Sequence, residues 1–95
     1  MTMQQTYETV TDGFHWPDKA VVRELNDAFN YTCGDRCVLA MEGLRRLDFY
    51  GLEMLVLMSD VAQAKGVTLT IRRPQSQVKE LLSLTEVDRF IPIEI

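Results

Sequence analysis

The residue types that most often carry chemistry are scarce in this sequence. It has one histidine, His15, and two cysteines, Cys33 and Cys37, in the stretch CGDRC. A structural zinc site needs four ligands, and a redox dithiol usually has two residues between its cysteines rather than the three found here. Cys37 also begins an apolar strand, where a thiol behaves as a small core residue. The sequence therefore favours structural cysteines over a metal or redox site.

His15 and Trp16 form the pair that most resembles a catalytic site, because histidine can act as a general base. No serine, cysteine or second histidine lies near the pair in the sequence, so packing at the entry to a helix is the favoured interpretation. Asp12, Asp18 and Asp48 have no metal-ligand spacing, and Asp48 is expected to accept backbone N–H groups at a helix start. Without a Gly-rich phosphate loop or paired carboxylates, we predict no enzyme, no metal and no cofactor.

Length and composition indicate one domain over residues 1–95. Apolar residues make up 46% and charged residues 25%, which is ordinary for a globular fold. The net charge of −4 disfavours nucleic acid as a partner. No apolar stretch approaches the roughly 20 residues of a membrane span, and the N-terminus does not read as a signal peptide. We expect a cytoplasmic protein without membrane insertion.

Strands alternate with helices along the chain. The stretch 37–41 is apolar on both strand faces, as in an interior strand, and Pro92 restricts the last strand to an edge. This order predicts an α/β fold, a small mixed, largely parallel sheet of about four strands covered by three helices. The predicted elements are strand 5–11, helix 18–30, strand 37–41, helix 50–65, strand 67–72, helix 76–84 and strand 90–95. Pro17 suits the first turn of the first helix, and Asp18 suits its positive N-terminal end.

Three successive stretches between residues 43 and 93 carry a resemblance to a known family. GLRRLD (43–48) is similar to a Gly, apolar, two variable, apolar, Asp approach, and GLEMLVLMSDVAQAKG (51–66) to a Gly-Leu-Gly helix closed by glycine. The stretch 67–93 is similar to a strand, a Pro-Ser turn, a short helix and a Leu-Thr-Gly-Leu-Asp close. Together they resemble the STAS domain, the family of bacterial anti-sigma factor antagonists. The resemblance implies a STAS-like fold, with the family's first strand short or missing.

Four positions concern the family's phosphorylation switch and its glycines. The resemblance places Phe49 where switching members have the Ser or Thr that accepts phosphate, and a phenyl ring has no nucleophilic oxygen. No phospho-acceptor is therefore expected there, and the adjacent Tyr50 would not present its phenol at the same depth. Glu53 and Glu86 replace two glycines of the family pattern.

The long helix has more apolar residues than one core face needs. Stepping 100° per residue places one set of apolar residues on a core face, which are Met54, Leu55, Met58, Val61 and Ala62. The polar residues Glu53, Ser59, Asp60 and Gln63 fall on the opposite side. Val56 lies among these polar residues, with Leu52 and Leu57 beside it. These three either pack under a neighbouring segment or form an exposed strip for a partner. The resemblance implies the second, because STAS domains meet partners at the start of this helix and the loop before it. The expected partner-binding residues are Asp48, Phe49, Tyr50, Gly51, Leu52, Glu53, Val56, Leu57 and Asp60.

The function implied is a non-enzymatic, protein-binding regulatory module in bacterial signalling or transcription regulation. The first expected partner is an anti-sigma factor or a serine-kinase-like regulator. The alternative is a small STAS subunit or adaptor of a membrane transporter ATPase. A small-ligand binder is disfavoured by the missing phosphate loop, and homo-oligomerisation is left open.

Overall fold

A computed structural model of the protein describes residues 6–10, 16–32 and 35–94, with side chains for 16–30 and 35–94. Its helices and strands follow the predicted order. They are β1 (Thr6–Val10), α1 (Lys19–Asp27), a π-helical turn (Ala28–Thr32), β2 (Arg36–Ala40), α2 (Phe49–Ala64), β3 (Thr68–Arg72), α3 (Ser76–Leu84), a 3₁₀ turn (Val87–Arg89) and β4 (Ile93–Glu94).

The four strands form one sheet in the order β1-β2-β3-β4, and each neighbouring pair is parallel. The predicted α/β fold is confirmed, and no antiparallel pair occurs among the strands that the structure describes. Strand β2 lies between β1 and β3, as predicted, and its residues 37–40 are at most 2% exposed. Strand β4 lies at the edge, directly after Pro92.

Two predicted boundaries are wrong. The last strand was expected from residue 90, but the N–H groups of Phe90 and Ile91 both donate to the Val87 carbonyl, at 2.9 and 3.0 Å. These local bonds form a turn, so the strand begins only at Ile93. The helix expected over 18–30 ends as an α-helix at Asp27 and continues as the π-helical turn.

All three helices pack on one face of the sheet. In a parallel sheet with sequential strand order, right-handed crossovers place successive helices on the same side. Cys37 lies opposite Leu69, and Leu39 lies opposite Ile71, so these four side chains share one face. They belong to a single core cluster with the inward residues of the helices and the final turn, which are Val21, Leu25, Phe29, Leu52, Leu55, Met58, Ala62, Val78, Leu82, Val87 and Ile91.

The opposite face carries an ion triad. Arg36 of β2 donates to the carboxylate of Glu94 in β4, and Nη2 of Arg72 lies 3.8 Å from Oε1 of the same carboxylate. All three side chains are partly exposed, so each ion pair contributes little stability. The triad nevertheless makes this face chemically different from the helix-covered one.

Short-range signals set the ends of the helices. Asp18 caps α1, and its Oδ1 accepts the N–H of Ala20 at 2.7 Å. Pro17 therefore precedes the helix rather than lying in its first turn, where it was predicted. Gly66, with φ of 75°, ends α2 as predicted. The N–H groups of Gly66 and Val67 reach back to the carbonyls of Gln63 and Ala62, at 3.0 and 2.8 Å, which is a Schellman motif.

Candidate functional site

The amino-terminal end of α2 is held by Asp48, as the sequence predicted. Asp48 is the N-cap residue, and its Oδ1 accepts the N–H of Gly51 at 2.7 Å. This bond satisfies one of the backbone donors that a helix start leaves open. The next two residues, Phe49 and Tyr50, stand at the helix start with 80% and 61% of their surface exposed. Two large aromatic side chains are thus presented to solvent from a capped, ordered turn.

Gly51 positions this turn rather than contributing contact surface. It is buried, and a Cβ atom there would lie 2.7 Å from Leu47 Cδ1 and 3.0 Å from the Trp16 carbonyl oxygen. The indole Nε1 of Trp16 donates to the Gly51 carbonyl oxygen at 3.0 Å. The predicted packing role of Trp16 at the helix entry is confirmed by its exposure of 5%. Its predicted companion, His15, lies outside the described residues.

The predicted core face of α2 is confirmed in its centre. Leu55, Met58 and Ala62 are at most 3% exposed. Met54 and Val61, expected on the same face, pack against the core but stay partly exposed. The predicted polar side is exposed at Glu53, Asp60 and Gln63.

The predicted exposed strip is only partly exposed. Leu57 is 50% exposed, whereas Val56 is half-buried against the core. The expectation that Leu52 is an exposed member is wrong: it is 6% exposed and belongs to the core cluster. Leu52 therefore follows the alternative of packing into the core, and Val56 follows it in part.

An apolar depression, here called the α2 groove, runs between α2 and the turn after α3. Leu52, Val56 and Leu57 contribute its α2 side, with Thr85 and Val87 opposite. The opposite wall was not predicted from the sequence. The remaining lining residues are Phe49, Glu53 and Asp60.

Two further exposed apolar residues lie in the segment that forms the opposite wall. Leu84 and Phe90 are 74% and 70% exposed. The sequence does indicate the exposure of Leu84. This residue lies six positions after the inward Val78, so it falls off the inward face of α3. Large apolar side chains clustered on a surface usually mark an interaction site.

A second depression, here called the α1 groove, flanks the other side of α2. Tyr50 and Met54 of α2 face α1 across it, and α1 contributes two exposed basic residues, Lys19 and Arg23. The α2 groove carries Glu53 and Asp60 instead. The two grooves beside the start of α2 are therefore lined by charges of opposite sign.

The other chemical candidates are structural within the described residues. Cys37 is fully buried in the core, as predicted, and Cys33 lies outside the described residues. Asp18 and Asp48 are helix caps, while Asp12 lies outside the described residues. Across the ranges that the structure describes, no group of three or more His, Cys, Asp or Glu side chains could hold a metal ion.

Comparison with known families agrees with this fold. The family model described as "Mlab, STAS domain" matches residues 18–93. The chain therefore belongs to the STAS domain family, as the resemblance of residues 43–93 predicted. No curated protein matches the chain.

Family membership defines the class of site. STAS domains are regulatory binding modules that mediate protein–protein interaction. Among the described residues, no helix combines the length and the apolar character needed to cross a bilayer.

Proposed function

We propose that this chain is a non-enzymatic regulatory module that binds another protein through the start of α2 and the α2 groove. The observation that carries this proposal is the exposure of Phe49 and Leu57, at 80% and 50%, beside an apolar groove. Exposed apolar side chains gain free energy when a partner removes them from water. Aromatic anchors in particular bury much area at low cost in side-chain entropy.

The rigidity of this surface supports the same proposal. Asp48 caps the first turn, and the indole N–H of Trp16 donates a hydrogen bond to the Gly51 carbonyl oxygen. An ordered surface loses less conformational entropy on binding than a mobile one. Tyr50 and Glu53 extend the surface around the turn. The residues of the proposed contact are therefore Asp48, Phe49, Tyr50, Glu53, Val56, Leu57 and Asp60, with Gly51 and the buried Leu52 as their support.

The first candidate partner, which follows from the family resemblance, is an anti-sigma factor or a related serine-kinase-like regulator. The chain would then act as an anti-sigma factor antagonist in the cytoplasm. Phe49 has no hydroxyl group to accept phosphate. Phosphorylation at that position would therefore not release the complex, and its control would lie elsewhere.

A second candidate is a small subunit or adaptor of a membrane transporter ATPase. Phe49 also favours this candidate, because a permanent subunit needs no phosphate-controlled release. The apolar character of the α2 groove fits a lasting contact, since obligate interfaces are more apolar than transient ones.

Affinity purification from the native cell distinguishes the candidates. A tagged chain is captured under mild salt, and co-purifying proteins are identified by mass spectrometry. Stoichiometric recovery of a serine-kinase-like protein supports the first candidate, and recovery of a transporter ATPase supports the second. Phe49→Asp should abolish the specific capture, while Lys79→Asp, an exposed change on α3 outside both grooves, should leave it intact. Equal capture by both variants would contradict the proposed surface.

A further inference from the structure

The α2 groove combines an apolar floor with acidic margins. Leu52, Val56 and Val87 supply apolar surface, and Glu53 and Asp60 line the same depression. In the turn that forms the opposite wall, Glu86, Asp88 and Arg89 are exposed beside Val87. A ligand that fills this groove must cover apolar surface and face the carboxylates of Glu53 and Asp60.

The two carboxylates of α2 are arranged along one line of the helix. Glu53 and Asp60 are seven residues apart, so they lie about 20° from each other around the axis and about 10 Å apart along it. Val56 and Leu57 lie between them, at i+3 and i+4 from Glu53. A second helix lying alongside α2 could place two side chains about two turns apart opposite these two carboxylates.

Both carboxylates are available for a partner's charges. Among the residues that the structure describes, neither Glu53 nor Asp60 takes part in an ion pair, whereas Glu86 lies 3.7 Å from Arg89 of the same turn. Both are also exposed. Charged margins around an apolar centre contribute mainly to association rate and to the choice of partner.

We propose that the occupant of the α2 groove is a basic amphipathic helix of the partner protein. Its apolar face covers Val56, Leu57 and Val87, and Lys or Arg side chains about two turns apart face Glu53 and Asp60. This is the helix-in-groove mode of recognition. The inference rests on the proposed function, since it specifies the chemistry of the partner at the same surface.

A second copy of this chain fits the groove less well. A symmetric contact through the α2 groove would place the acidic margins of two copies against each other, and like charges across an interface disfavour association. The basic residues Lys19 and Arg23 lie instead in the α1 groove. The charges therefore favour a basic segment of a different protein.

Three synthetic 18-residue peptides with a fluorescent label test separately the sign of the ligand's charge and its need for an apolar helix face. The first has Leu at helical spacing flanked by Lys. The second has Glu in place of every Lys, and the third keeps the first composition with the apolar face scrambled. Fluorescence anisotropy should give the first peptide a Kd at least tenfold lower than either control. Amide NMR shifts should concentrate at residues 52–60 and 85–87. Equal binding of the scrambled peptide, tighter binding of the Glu peptide, absence of binding or shifts elsewhere would overturn the inference.

Charge reversal tests the same inference on the protein. Glu53→Lys with Asp60→Lys should raise the Kd of the Lys peptide at least tenfold. Asp27→Lys with Glu80→Lys changes net charge equally at exposed positions outside the groove, and it should change the Kd less than twofold. If both double variants lose the same affinity for the Lys peptide, the effect is one of overall charge, and the inference is overturned. Thermal melts of both pairs confirm that each protein is folded.

The failure of this inference is distinguishable from failure of the proposed function. If the captured native partner binds the Glu53→Lys, Asp60→Lys protein as well as wild type, while Phe49→Asp abolishes binding, the surface is right and the basic helix is wrong. Self-association in sedimentation that Leu57→Asp abolishes would also overturn it, because the occupant would then be a second copy.

Discussion

The indole Nε1 of Trp16 donates a hydrogen bond of 3.0 Å to the carbonyl oxygen of Gly51, across 35 positions of sequence. The bond joins the entry of α1 to the first turn of α2. It is buried, and the Trp16 carbonyl oxygen also lies where a Cβ of residue 51 would come within 3.0 Å. The turn that presents Phe49 and Tyr50 is thus held by a tertiary contact as well as by its own cap.

Trp16→Phe should destabilise the protein by about 2–4 kcal/mol. The change removes the donor to Gly51 and part of a buried ring, and each of these losses costs about 1–2 kcal/mol. Denaturant unfolding measures the difference. Tyr50→Phe, which removes a polar group from an exposed ring nearby, should change the free energy of unfolding by less than about 0.5 kcal/mol. Equal effects of the two variants would mean that the Trp16 contact contributes nothing specific.

Gly51→Ala should lower stability although alanine is the better helix former. The propensity gain is about 1 kcal/mol, but the new methyl group meets Leu47 Cδ1 at 2.7 Å and a backbone oxygen at 3.0 Å. Overpacking of this kind costs about 1–3 kcal/mol, so a net loss near 1 kcal/mol is expected in chemical unfolding. Gln63→Ala, at an exposed position of the same helix, should be neutral or stabilising. A stabilised Gly51→Ala protein would contradict the close approach.

Glu86→Gly should stabilise the protein by about 0.5 kcal/mol. Glu86 has φ of 62°, a left-handed conformation in the position of the family's glycine. That conformation costs a residue with a Cβ about 1–2 kcal/mol, and the greater unfolded-state entropy of glycine offsets part of the gain. Asp88→Gly, inside the 3₁₀ turn, is the matched control. It removes no left-handed strain, so it should destabilise the protein. Thermal melts that rank the two variants in the opposite order would refute the strain.

Residues 47–51 should remain unmodified when the protein is incubated with a cognate serine kinase and ATP. Phe49 is 80% exposed at the helix start but has no oxygen to attack phosphate. Fragment mass spectrometry measures the outcome. Phe49→Ser, which restores a hydroxyl at the exposed position, is the matched variant for detecting a kinase that still recognises the site. A phosphate on Tyr50 of the wild-type protein would contradict this prediction.

Local signals in the sequence predict most of the fold. The apolar stretch 37–41 predicted the buried interior strand, because only a strand covered on both faces can be apolar throughout. Asp18, Asp48 and Gly66 marked three helix ends through chemistry that depends on a few neighbouring residues. The final strand was misplaced because Val87 accepts two turn bonds that an apolar pattern does not reveal.

The candidate site was less accessible to sequence reasoning. Helical angles identified Val56 and Leu57 as lying off the core face, but they could not show that Leu52 belongs to the same core cluster as Val87. Packing between segments so far apart in the sequence is a tertiary property. The opposite wall of the α2 groove was missed for the same reason, although Leu84 was recognisable as an outward apolar residue.

The affinity of the captured native partner for Leu57→Asp tests the central claim most directly. Leu57 is half exposed, so an aspartate there should change the free energy of unfolding by less than about 1 kcal/mol. Val56 is a poorer choice because it packs against the core. If Leu57 is an anchor of the interface, its loss should raise the Kd at least tenfold, which corresponds to about 1.4 kcal/mol. Lys79→Asp is the matched control and should bind as wild type. A folded Leu57→Asp protein that binds the partner with unchanged affinity would contradict the account.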